Sequence, residues 1–103
     1  MTSLFMYQPD FYKGLEEEKI AESVKAEGFN PIRFSNATGD SYSPHKHPET
    51  KLLAFLKGNL EVKVGGEDFQ CKAGDKLVVP GNTLHSSVAG PEGCEFFWSE
   101  KLL

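Results

Sequence analysis

The sequence predicts an all-β fold, an antiparallel sandwich or barrel of short strands preceded by one helix. Three observations predict it. From Pro31 onward, apolar or alternating runs recur at close spacing, each bounded by Gly, Pro or Asn, which is the pattern of strands joined by tight turns. Helical periodicity is confined to the stretch before Pro31. The chain of 103 residues is long enough for one core and too short for two. The expected organisation is a single domain, with a helical N-terminal extension over 1–30 and a β-barrel over 31–103.

Taken in order, Leu15 to Glu27 reads as an amphipathic helix, with Leu15, Ile20, Ala21 and Val24 near helical spacing. The acids Glu16 to Glu18 favour the positive end of its dipole, and Gly28 is suited to stop it. Leu52 to Leu56 is an unbroken apolar run, as expected of a strand covered on both faces. Gly58-Asn59 then reads as a turn into the alternating Leu60 to Val64. Gly65-Gly66 signals a hairpin leading to Phe69 and Cys71. Ala73-Gly74-Asp75 turns into Lys76 to Val79, Pro80-Gly81-Asn82 turns toward His85, and Gly90 to Gly93 turns into Cys94 to Trp98. No glycine-rich turn precedes a helix, so none reads as a phosphate cradle.

Charge and composition narrow the partners. The net charge is −4, and lysines 51, 57, 63, 72 and 76 are interleaved with acids, so a nucleic-acid partner is not expected. No apolar run approaches the ~20 residues of a membrane span. The N-terminus lacks the charged start and apolar stretch of a secretory signal, which makes a cytoplasmic location the expectation. Cys71 and Cys94, the two cysteines, match no zinc spacing and read as small buried side chains.

The histidines carry the chemistry. His45 and His47 flank Lys46, and in an extended segment alternate residues share a face. The remaining histidine, His85, lies on a distant predicted strand. A lone histidine is most often a surface residue or a satisfied core residue. Three converging imidazoles would instead make a metal site with an open position for water or substrate. Nitrogen donors of this kind admit zinc, iron, nickel, copper or manganese without selecting among them.

The residues around these histidines resemble a known family. Gly39-x5-His45-x-His47-x3-Lys51-x6-Gly58 is similar to the first motif of the cupins, G-x5-H-x-H-x3,4-E-x6-G. Gly74-x5-Pro80-x-Asn82-x2-His85-x3-Ala89 is similar to the second, G-x5-P-x-G-x2-H-x3-N. The resemblance spans Gly39 to Ala89 and implies a small jelly-roll β-barrel, commonly a homodimer. It also implies that His45, His47 and His85 ligate one divalent transition metal near a mouth of the barrel. Three departures stand out. Lys51 occupies the place of the glutamate ligand, as in a group of small cupins carrying H-x-H-P-x-x-K. Asn82 replaces a turn glycine, which the left-handed region tolerates. Ala89 replaces the last asparagine.

Lys51 has the strand parity of His47, so its stem can enter the same cavity. Three outcomes stand open. It pairs with a carboxylate such as Glu49, loses its proton beside the metal, or holds an anionic ligand at an open position. Glu49 shares this parity and is a candidate fourth ligand, the other readings being an ion-pair partner of Lys51 and an exposed carboxylate. Alternation makes Leu53, Phe55, Phe69, Phe96 and Trp98 candidates for the cavity walls, each reading first as ordinary core because a small barrel must fill its interior. Tyr42 and Ser87 lie near the histidines and are candidates for orienting a ligand.

Two functions compete. One is a metalloenzyme acting on a small anionic molecule, with dioxygenation, isomerisation and hydrolysis all open. The other is a non-catalytic module that binds or senses a small ligand, with weak or structural metal. A homodimer is expected, hiding the outer apolar face of Leu52 to Leu56 against a twin.

Overall fold

The computed structural model describes residues 6–102; the reading of the first five residues lies outside them. Among the described residues the elements follow in this order: β1 (Tyr7–Gln8), α1 (Glu17–Ala26), β2 (Ile32–Asn36), β3 (Ser41–His45), β4 (Thr50–Val64), β5 (Glu67–Lys72), β6 (Lys76–Val79) and β7 (His85–Lys101). Every pairing is antiparallel. The hydrogen-bonded path runs β1-β6-β4-β7-β2, with β5 on β4 and β3 on β7, and does not close into a ring.

The two long strands organise everything else. β4 and β7 pair from Thr50↔Lys101 to Val64↔His85. β6 flanks the first half of β4 and β5 the second; β3 flanks the first half of β7 and β2 the second. The pair therefore contributes to two layers, and the interior lies between them. Register shifts between Phe55 and Lys57 and between Gly58 and Leu60 mark the bend from one layer to the other. Gly58-Asn59 and Gly90 to Gly93, read from the sequence as turns, thus lie inside β4 and β7. Glycine serves a bulge for the same steric reason that it serves a turn.

Gly58 is required at this bend. Its φ is +74°, and a Cβ there would sit 2.1 Å from the Gly93 carbonyl oxygen. A Gly58→Ala change should cost about 2–4 kcal/mol, from left-handed strain plus a clash with rigid backbone. Urea unfolding would measure it; a loss below about 1 kcal/mol would show that the bend adapts.

The apolar faces divide cleanly. Leu53, Phe55, Leu60, Val62, Val79 and Phe96 pack between the layers. Leu52, Ala54 and Phe97 face outward and are covered by Ile20 and Val24 of α1 together with Tyr12. Burying Ile20 and Val24 contributes about 1.5–3 kcal/mol each. The outer face of Leu52 to Leu56 is thus covered by the chain's own helix rather than left open for a twin. Leu15 is not part of the helix. It precedes the N-cap residue Glu16 and is exposed.

The helix closes with a Schellman arrangement: Phe29 N–H donates to the Val24 carbonyl and Gly28 N–H to that of Lys25. Lys76 clamps its end, with Nζ 2.8 Å from both oxygens of Glu27 and 4.4 Å from the centre of the Phe11 ring. A second tie holds β1 and the following turn through the buried carboxylate of Asp75, which accepts hydrogen bonds from Tyr7 Oη and the Asp10 backbone N–H.

Candidate metal centre

His45 ends β3 and His85 begins β7, and the two are directly opposed in the antiparallel register. His47 lies beyond the end of β3, in a bend that passes through Pro48 and Glu49 before β4 starts. Strand alternation therefore does not bring His47 to His45; the bend does. The turn at Gly81-Asn82 packs against this bend. Asn82 N–H donates to the His47 carbonyl at 2.6 Å, and Gly81 N–H donates to Thr50 Oγ1 at 3.1 Å. Any side chain at Gly81 would collide with the Pro48 carbonyl, 2.3 Å from where its Cβ would lie. Asn82 takes a φ of +60°, the left-handed conformation its place in the motif demands.

The three rings meet. Their centroids are 4.6 Å apart for His45 and His47, 4.5 Å for His45 and His85, and 5.3 Å for His47 and His85. One nitrogen of each lies within 4.8 Å of the others. Nitrogens about 2.0–2.1 Å from a common ion lie roughly 3.3 Å apart in a tetrahedron, so small side-chain rotations close the set. Two of the rings are oriented for it. Nδ1 of His45 faces the Ser43 carbonyl, and Nδ1 of His85 lies 2.9 Å from the Thr83 carbonyl. A ring nitrogen beside a carbonyl must donate, which leaves the Nε2 lone pair for a metal, as in histidine metal sites generally. The donor set therefore fits a divalent transition metal.

The surroundings favour the neutral form of His47 and of His85. Burial pulls His47 below the usual imidazole range, helped by the positive charge of Lys51 and by His45. Burial lowers His85 as well; the Thr83 carbonyl opposes this, while His45, His47 and Lys51 reinforce it. Neutral imidazole is the ligating form.

A cavity of about 80 Å³ opens beside the cluster. Tyr42, Leu53, Ser87, Phe96 and Trp98 line it, as do His45, His85 and Lys51. Leu60, Val62 and Val79 complete the walls; the alternation of Leu60 and Val62 after the bend was the signal for them. Phe55 and Phe69, the other wall candidates, belong to the core. Phe55 is fully buried, and Phe69 packs against the Tyr7 ring with centroids 5.3 Å apart. Strand parity gives the face of a residue and not its depth.

Lys51 points into the cavity with its side chain 9 % exposed. Its partner is Glu100, directly opposite on β7, and its ammonium lies 4.6 Å from the centre of the Trp98 ring. Of the carboxylates open to it, Lys51 thus takes Glu100 rather than Glu49. Glu49 lies half-buried in the bend, outside the group of mutually close ligand atoms. Glu100 offsets the charge that Lys51 brings near the histidines, which eases placement of a cation there.

Comparison with known proteins agrees with this architecture. Residues 32–100 match the family described as the AraC-like ligand binding domain, and the chain belongs to it. The protein is a cupin. An RmlC-like cupin from Shewanella frigidimarina superposes with a TM-score of 0.65 at 21 % identity, covering 73 % of this chain and 67 % of that one. KdgF from Halomonas sp. gives a TM-score of 0.61 at 24 % identity over 70 % and 67 % of the two chains. Both show the shared cupin fold. In sequence, the chain is 36 % identical over 58 residues to the dimethylsulfoniopropionate lyase DddW of Ruegeria pomeroyi, a match covering 56 % of this cupin and 38 % of that relative. This cupin thus matches well under half the length of that lyase.

Proposed function

We propose that this cupin holds one divalent metal on His45, His47 and His85 and acts on a small anionic molecule bound at the open coordination position. The convergence of three imidazoles, two with Nδ1 committed to backbone carbonyls, supports this reading above all. A metal so held would supply Lewis-acid polarisation or an activated water. Lys51 positions the anionic group of the substrate. Leu53, Val62, Val79 and Phe96 exclude water from its apolar part. Tyr42 and Ser87, opposite one another on β3 and β7, offer hydroxyls to polar atoms at the rim. The relative DddW is named for cleaving a sulfonium-bearing propionate, a molecule with a carboxylate of the kind Lys51 could hold.

Elemental analysis of protein purified without chelator or histidine tag tests the metal. The expected result is close to one transition-metal ion per chain; metal-free protein that takes up none on reconstitution would refute the centre.

One observation favours a non-catalytic ligand-binding role. The cavity lining contains no carboxylate among the described residues, which leaves Tyr42 and Lys51 as its proton-transfer groups besides the histidines. Saturable ligand binding by metal-loaded protein with no product in proton NMR would decide for that role.

A further inference from the structure

Deepening the proposed function and resting on it, we propose that the cavity selects a short-chain monocarboxylate of about three to five carbons, its carboxylate held between the histidine cluster and Lys51. Charge points to the head group. Among the described residues lining the cavity, Lys51 alone carries a formal charge. An ammonium has three N–H donors. One serves Glu100, and the ammonium also meets the face of Trp98, leaving room for a single further acceptor. A planar monoanion can use that donor and turn its second oxygen toward the metal position. A tetrahedral phosphate would bring more acceptors than this cluster can satisfy.

The walls point to the tail. Leu53, Leu60, Val62, Val79 and Phe96 present carbon only, and the cavity measures about 80 Å³. A dry apolar cavity of roughly 150 Å³ admits benzene, so about half that volume takes a tail of a few carbons. The polar end is equipped to finish the recognition. Tyr42 and Ser87 face each other across β3 and β7 and both line the cavity. The phenol oxygen of Tyr42 accepts a hydrogen bond from Asn36 Nδ2 at 2.8 Å, which leaves its own proton free to donate.

Lys51 and Glu100 make the inference testable, because a ligand carboxylate and Glu100 compete for one ammonium. Trp98 is the sole tryptophan and touches that ammonium, so its emission reports occupancy. Cobalt uptake is read first, from the cobalt absorption of the full chain. Butyrate is then titrated against the cobalt-loaded protein while Trp98 fluorescence is followed, with octanoate, butyramide and inorganic phosphate as comparisons. Butyrate should saturate the signal, and the other three should bind at least tenfold more weakly. Lys51→Met should weaken butyrate at least tenfold, whereas Glu100→Gln should tighten it severalfold by removing the competitor. A pair that is merely structural would give variants of lower stability and unchanged affinity, which would overturn the proposal. So would equal binding of butyramide or phosphate. Absence of cobalt uptake would refute the metal centre itself; uptake without a butyrate response would refute the carboxylate site alone.

Discussion

His85→Ala is expected to keep the fold and lose the metal. The side chain is half-buried at the first residue of β7, where the strand is held by pairing with both β3 and β4. Removing it leaves two imidazoles and opens the cluster on the side where β7 closes it. Loss of a supporting contact around a metal ligand typically costs 10–100-fold in affinity, and loss of the ligand itself should exceed about 100-fold. The stability consequence follows by linkage. At a zinc concentration 100 times the dissociation constant, the unsubstituted protein gains about 2.7 kcal/mol, and the variant should gain almost nothing. Thermal unfolding with and without zinc would show it. An equal zinc-induced shift in both proteins would mean that the metal, if bound, is held elsewhere.

Asp75→Ala is expected to be the most damaging substitution away from the cluster. Asp75 has no exposed surface, yet its carboxylate accepts four hydrogen bonds: from Tyr7 Oη at 2.6 Å, the Asp10 N–H at 2.9 Å, the Lys72 N–H at 3.0 Å and Lys72 Nζ at 2.9 Å. These bonds fasten β1 and the turn after it to the end of β5 and the β5–β6 connection. Alanine would leave these part-buried donors without their acceptor; at about 1 kcal/mol for each hydrogen bond, the loss is about 3–5 kcal/mol. Chemical denaturation should report it as a lower midpoint with an unchanged slope. A loss under about 1 kcal/mol would show that water replaces the carboxylate without penalty.

The same group sets an acid limit. Burial pushes the Asp75 carboxyl up, but the hydrogen bonds from Tyr7, Asp10 and Lys72 together outweigh it and hold the carboxyl below its ordinary 3.8. A depressed folded value means that this contribution is fully present above the unfolded value. It is lost as pH falls below about 4 and through the folded value. The unsubstituted protein should therefore lose stability in that window, and Asp75→Asn should flatten the loss.

Much of this was legible from residue order, and the rest was not for identifiable reasons. Gly65-Gly66 marked a hairpin, and Ile20 and Val24 marked the buried face of the helix, because local geometry decides both. The histidine constellation was legible from motif spacing, although the bend after β3, rather than strand parity, brings His47 in. Strand parity left the direction of Lys51 open, and its partner Glu100, 49 residues away, could be found only from the β4–β7 register. Alternation gave the face of Phe55 but not its depth, so core and wall could be separated only in three dimensions. Asp75 read as a turn residue because Ala73-Gly74-Asp75 is a turn; nothing local reveals that Tyr7 and Asp10 come to rest on it. The cover over Leu52 and Ala54 was misassigned to a second copy, since a strand apolar on both faces does not say what packs on it.

X-ray absorption at the metal edge of the zinc-loaded protein most directly tests whether three imidazoles share one ion. The account predicts scattering from three histidine rings with nitrogen at about 2.0–2.1 Å, the remaining ligands being light atoms from solvent. A spectrum fitted by one imidazole or none, or by sulfur from Cys71 or Cys94, would contradict it.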